Sequence, residues 1–170
     1  MNNHRQKLIY LIGFMGAGKS SVGVALAKQM GWPFVDLDAV IETGHGATIR
    51  QIFEQAGEPF FRQIEHAALV EVARKTPAVI ALGGGTFVQK SNLDLIRQTH
   101  GATIWLDCPI EELWQRCSTM DNRPLFRDRK SFSRLYEQRL PYYRQAEFRI
   151  VTGGRSPEDI VQEILGLGLF

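Results

Sequence analysis

Gly13-Phe14-Met15-Gly16-Ala17-Gly18-Lys19-Ser20 is the stretch on which the reading of this chain turns, because it fits the pattern G-x-x-x-x-G-K-[ST]. The apolar run Leu8-Ile9-Tyr10-Leu11-Ile12 before it reads as a buried strand, and Ser21 to Met30 after it sets Val22, Leu26 and Met30 at helical spacing. A glycine-rich turn between strand and helix lets backbone N–H groups wrap a phosphate while the positive end of the helix dipole faces its oxygens. Lys19 is then expected to reach the β- and γ-phosphates of a nucleotide, and the Ser20 hydroxyl to ligate Mg²⁺.

The strand and helix signals alternate along the rest of the chain. Strands are predicted at Phe34 to Leu37, Ala78 to Leu82, Ala102 to Leu106 and Phe148 to Val151. Helices are predicted at Ile49 to Gln55, Pro59 to Arg74, Leu93 to Gln98, Ile110 to Cys117, Ser133 to Tyr143 and Pro157 to Leu165, the last capped by Ser156. Apolar strands separated by helices imply a parallel sheet covered on both faces, whose ligands bind at the carboxyl ends of the strands.

With 170 residues and 44 % hydrophobic content, the chain suits one globular domain. A net charge of +2 argues against general nucleic-acid binding. The polar stretch from Met1 to Lys7 and the short first strand do not resemble a signal peptide, so a cytoplasmic, non-membrane protein is expected. Cys108 and Cys117 lack metal-ligand spacing and read as reduced, buried thiols, and the four histidines are scattered.

Three places at the carboxyl ends of strands carry chemistry. Strand two runs into Asp36-Leu37-Asp38, where alternation is expected to put both carboxylates on one side beside the phosphate loop. One is suited to Mg²⁺ through water and the other to an acceptor hydroxyl, while capping of the next helix is the plainer alternative. Asp107 also follows an apolar run, but reads better as the cap of the helix near Ile110. Gly83-Gly84-Gly85 follows strand three and would bring backbone close to a ligand. Arg62 and Glu65 are three apart on a predicted helix, by itself a weak signal. Between Arg123 and Arg149 the net charge is +5, which localises anion binding to that segment, although Arg129 and Arg134 read as solvated.

Taken in order, the Gly13 to Ser20 loop, Asp36-x-Asp38, Phe61-Arg62-x-x-Glu65, Gly83-Gly84-Gly85, Arg123-Pro124-Leu125 and Arg139 with Tyr142 and Tyr143 resemble the shikimate kinases, within the nucleoside-monophosphate-kinase-like P-loop fold. The resemblance spans about Leu8 to Leu165. It implies an α/β three-layer fold in one domain, residues 1–170, with a five-stranded parallel sheet of order 2-3-1-4-5. It also implies a shikimate-binding helical region at about 38–66 and a mobile lid at about 119–131.

The implied reaction transfers the ATP γ-phosphoryl group to the 3-hydroxyl of shikimate, with Mg²⁺, in chorismate biosynthesis. Gly16, Ala17, Gly18, Lys19, Ser20 and Ser21 would hold the phosphates, with Arg116 and Arg155 on the adenine side. Asp38 would meet the acceptor hydroxyl and Asp36 would act on Mg²⁺ through water. Arg62 and Arg139 would clamp the shikimate carboxylate, Glu65 would hold Arg62, and Gly83, Gly84 and Gly85 would give backbone contacts. Arg123 would close over the transferring phosphate, and the chain is expected to act as a monomer. Two rivals remain open: another small-metabolite kinase of the same fold, such as a gluconate kinase, and a ligand-sensing module without catalysis.

Overall fold

The computed structural model describes residues 7–119 and 128–170, so the predicted lid, including Arg123, falls largely outside the described residues. Five strands, β1 (Leu8–Ile12), β2 (Phe34–Asp36), β3 (Ala78–Ala81), β4 (Ala102–Asp107) and β5 (Phe148–Val151), form one parallel sheet of order β2-β3-β1-β4-β5. This is the order the resemblance implies.

Burial follows position in the sheet. Every residue of β1 and β3 is buried, whereas the edge strands β2 and β5 are only partly covered. The helices α1 (Lys19–Met30), α2 (Leu37–His45), α3 (Ile49–Ala73), α4 (Lys90–Gln98), α5 (Ile110–Ser118), α6 (Arg129–Tyr143) and α7 (Pro157–Gly166) flank the sheet. Their apolar faces join Ile9, Leu11, Ile80 and Ile104 in one core. Truncating any of these aliphatic side chains to Ala would cost about 2–5 kcal/mol.

Local chemistry explains the boundaries. Thr48 and Gln51 form a reciprocal capping box at the start of α3. The helical run breaks at Gly57, whose φ of 81° lies outside the helix, which is why the sequence reads as two helices there. Ser156 caps α7 through the Asp159 amide, as predicted. Among the described residues, no helix is long and apolar enough to cross a membrane.

Three expectations are corrected. Strand two stops at Asp36, and Leu37 opens a helix that the apolar pattern does not announce. Asp38 therefore sits in the first turn of α2, so helix geometry rather than strand alternation sets its position. Asp107 does not cap α5, whose N-cap is Pro109 with no side-chain cap; its carboxylate instead accepts from Arg149 Nε at 2.8 Å across the β4–β5 edge. Arg129 is not merely solvated: it opens α6, pairs with Glu111 and lies over the Trp114 ring at 5.7 Å.

Candidate active site

At the carboxyl end of β1 the chain turns through Gly13 to Gly18 into α1. Gly18 is the N-cap with φ of 90°, a left-handed conformation that a side chain would resist. Lys19 and Ser20 are thereby the first two helical residues, at the positive end of the dipole. The Lys19 ammonium donates to the carbonyls of Gly13 at 2.6 Å and Phe14 at 3.0 Å, which holds it across the loop.

The Ser20 hydroxyl donates to Asp36 Oδ2 at 3.1 Å, and Asp36 Oδ1 accepts from the Ala39 amide at 3.3 Å. Asp36 thus caps α2, the plainer of the alternatives left by the sequence, and also stands beside the phosphate loop. A serine hydroxyl and a carboxylate are hard oxygen donors of the kind that suits Mg²⁺. Among the described residues there is no cluster of three or more His, Cys, Asp or Glu side chains able to hold a metal. A metal here would therefore need ligands from a bound phosphate or water as well.

A cavity of about 560 Å³ opens over this loop, large enough for a small ligand. Gly16, Ala17, Gly18, Lys19, Ser20 and Ser21 line it, together with Asp36, Asp38, Gly83, Gly84, Arg116 and Arg155. Arg116 donates to the Gly16 carbonyl at 2.8 Å and pairs with Glu112 at 3.1 Å. Arg155 donates to the Val151 carbonyl at 2.8 Å and pairs with Glu163. Both predicted adenine-side arginines are therefore tethered at the far rim, one on α5 and one before α7.

The other end of the site is built around the loop between β3 and α4. A methyl carbon placed on Gly83 would stand 2.8 Å from Asp38 Oδ1, one on Gly84 2.9 Å from Arg139 Nη1, and one on Gly85 2.6 Å from Arg62 Nη2. None of the three has positive φ, so they are glycines for close approach and not for backbone shape. The loop thus draws α2, α3 and α6 together: one carboxylate and two guanidinium groups converge on it.

Each arginine is held differently. Arg62, 16 % exposed at its side chain, gives Nη1 to Glu65 Oε1 at 2.9 Å and Nη2 to Glu58 at 3.3 Å. Glu65 is buried, and it also accepts from Thr86 Oγ1 at 2.8 Å and Asn92 Nδ2 at 3.4 Å. Three donors on one carboxylate offset its removal from water. The pair that is a weak signal in the sequence is held in place in the fold, because Glu65 is buried and shared among three donors.

Arg139, 6 % exposed, packs its guanidinium 5.6 Å from the Phe14 ring centroid, one helical turn before Tyr143. Among the described residues no carboxylate pairs with Arg139, so its charge faces the loop uncancelled. Burial pushes Tyr143 up to about 12, against the lowering effect of Arg139, so the phenol keeps its proton as a donor.

The structure therefore brings together every predicted site residue that it describes. Arg123 lies outside the described residues. Sequence reasoning missed Thr86 and Asn92, both wholly buried. The signal for Asn92 was available: it is a polar residue on the same helical face as Leu93 and Ile96. Cys108 and Cys117 are buried and form no disulfide, as expected, and Cys117 Sγ lies 3.4 Å from the Met15 carbonyl, bracing the phosphate loop from below.

The chain is similar to known proteins of one family. The family model described as "Shikimate kinase" matches residues 15–167. A shikimate kinase of Persephonella marina is 43 % identical over 159 residues, covering 93 % of this chain and 96 % of that protein. The solved structure of shikimate kinase from Acinetobacter baumannii in complex with shikimate is 39 % identical, with a TM-score of 0.91 over 96 % of this chain and 93 % of that one. A gluconokinase from Sinorhizobium meliloti, 18 % identical with a TM-score of 0.57 over 97 % of this chain and 92 % of that one, shares only the fold. By family match, identity and fold, this chain belongs to the shikimate kinases, ATP-dependent phosphotransferases of the P-loop class.

Proposed function

We propose that this chain moves the γ-phosphoryl group of ATP to the 3-hydroxyl of shikimate, giving shikimate 3-phosphate and ADP. The observation that carries the reading is the three-glycine loop, against which Asp38, Arg139 and Arg62 all pack within reach of the phosphate-binding loop. One carboxylate and two cations around a glycine-lined space suit an acceptor that has both a hydroxyl and a carboxylate. Planar guanidinium forks on Arg62 and Arg139 match a carboxylate in bidentate fashion.

In this reading Gly16 to Ser21 hold the phosphates, and Lys19 turns from the loop carbonyls to the β- and γ-phosphates. Ser20, and Asp36 through water, would hold Mg²⁺; when bound, the ion neutralises charge on the phosphate oxygens. Asp38 orients the acceptor hydroxyl and takes its proton as the new O–P bond forms. Because phosphoryl transfer passes through a loose transition state, charge stabilisation by Lys19 outweighs the basicity of Asp38. Arg123 is assigned to the transferring phosphate on its Arg-Pro-Leu motif alone. Arg116 and Arg155 frame the adenine side. In the same reading the chain acts as a monomer in the cytoplasm.

The test is ADP release from Mg²⁺-ATP with shikimate, quinate, gluconate or no acceptor. Turnover with shikimate, and only background without acceptor, is expected. Turnover with gluconate alone would overturn the assignment in favour of a sugar-acid kinase.

A further inference from the structure

Thr86 follows the three glycines directly and is wholly buried, yet its hydroxyl is committed to the opposite wall of the site: it donates to Glu65 Oε2 at 2.8 Å. The other oxygen of the same carboxylate, Oε1, receives Arg62 Nη1 at 2.9 Å. The Thr86 amide closes the glycine turn by donating to the Gly83 carbonyl at 3.1 Å, and Asn92 Nδ2 holds the Thr86 carbonyl at 3.0 Å. Asn92 Oδ1 is in turn engaged by His66 Nδ1 at 2.8 Å. Since the Asn92 amide nitrogen faces two acceptors, its oxygen must accept, and Nδ1 is the protonated nitrogen of His66.

We propose that Thr86 is a positioning residue for the acceptor, setting the Arg62 guanidinium against the Gly83–Gly85 loop through Glu65. A carboxylate fixed at only one oxygen can swing about its Cγ–Cδ bond, and Arg62, whose other carboxylate partner is the exposed Glu58 at 3.3 Å, would follow it. With Oε2 pinned by Thr86 the carboxylate plane is set, and so is the direction in which Arg62 points. The pin arises from the loop itself, at the residue after Gly85, so loop and clamp move as one unit. A serine preserves this bond; a valine keeps the shape but has no donor, leaving Oε2 unpaired in a dry interior.

The inference rests on the reading of Arg62 as the acceptor clamp, and one set of variants separates the two. Steady-state kinetics of Thr86→Val, Thr86→Ser, Arg62→Ala and the Thr86→Val, Arg62→Ala double variant are measured beside their melting temperatures. Expected are a rise of about tenfold in KM for shikimate with Thr86→Val, near-native KM with Thr86→Ser, and KM for ATP unchanged in both. In the Arg62→Ala background Thr86→Val should add no further increase, since there is no clamp left to position. If Thr86→Val fails to fold, Thr86→Ala takes its place in the same cycle. An effect of Thr86→Val that persists undiminished without Arg62, or a native KM in Thr86→Val while Arg62→Ala is impaired, overturns the role of Thr86. A native KM in Arg62→Ala overturns the clamp itself.

Discussion

The Tyr143 hydroxyl donates a 2.6 Å hydrogen bond to the carbonyl of Gly84, joining the last turn of α6 to the middle of the glycine loop. Arg139 sits one turn earlier on the same helix, and its Nη1 lies 2.9 Å from where a methyl on Gly84 would stand. Helix and loop are thus tied beside the arginine. Tyr143→Phe removes the tie and little volume, leaving the half-buried Gly84 carbonyl without this donor. A loss of about 1–2 kcal/mol in stability is expected, with a several-fold higher KM for shikimate. Chemical denaturation and acceptor kinetics check it; a variant with native values in both would show the bond to be incidental.

Gly83→Ala and Gly85→Ala should separate chemistry from binding. The new methyl at 83 meets Asp38 Oδ1 at 2.8 Å, so it disturbs the residue assigned to the acceptor hydroxyl. At 85 it meets Arg62 Nη2 at 2.6 Å, the far end of a long side chain that can yield. Gly83→Ala should lower kcat by about tenfold or more, and Gly85→Ala should mainly raise KM for shikimate by a similar factor. Equal effects on both constants in both variants would contradict this division.

Lys19→Ala is expected to reduce kcat by about 10²–10³ with a modest change in KM for shikimate, because the ammonium acts on charge that grows at the transferring phosphate. Arg62→Lys should do the reverse, raising KM for shikimate by about tenfold while kcat changes little, since a point charge replaces a two-pronged donor. Initial-rate measurements varying each substrate distinguish the two patterns.

Stability should fall on the alkaline side. Burial first, and the Glu112 carboxylate next, push Cys108 from an ordinary value of 9.0 up to about 11. Burial pushes Tyr143 from 10.0 up to about 12. Each folded group keeps a proton that the unfolded chain releases at lower pH, so its contribution is fully present below the unfolded value and is lost as pH rises through the folded one. Urea midpoints should hold steady to about pH 9 and then decline towards about pH 12. Cys108→Ala should flatten the decline between about pH 9 and pH 11; an unchanged slope would remove Cys108 as a contributor.

How much of this was legible varied with the range of the interactions. The phosphate loop and the three central strands follow from local pattern, since an apolar run, a glycine turn and a helical repeat each lie within a few residues. Helix α2 was not legible because it starts directly at Leu37, with no break in the apolar run of β2, and its cap is the same Asp36 that faces Ser20. Asp107 misled for a related reason: an acid before a helix usually caps it, but here β5 supplies Arg149 alongside. That neighbour is 42 residues away in the chain.

The sequence by itself determined the donor half of this protein. Gly13 to Ser20 carries its meaning in contiguous residues, because a strand, a tight turn and a helix N-terminus are enough to cradle a phosphate. Only the tertiary structure decided the acceptor half. Asp38, Arg62 and Arg139 come from three separate helices, and they meet because Gly83, Gly84 and Gly85 leave no side chain between them. Thr86 and Asn92 are ordinary polar residues in the linear chain. Folding buries them around Glu65, and at that depth their few hydrogen bonds set the carboxylate that holds Arg62.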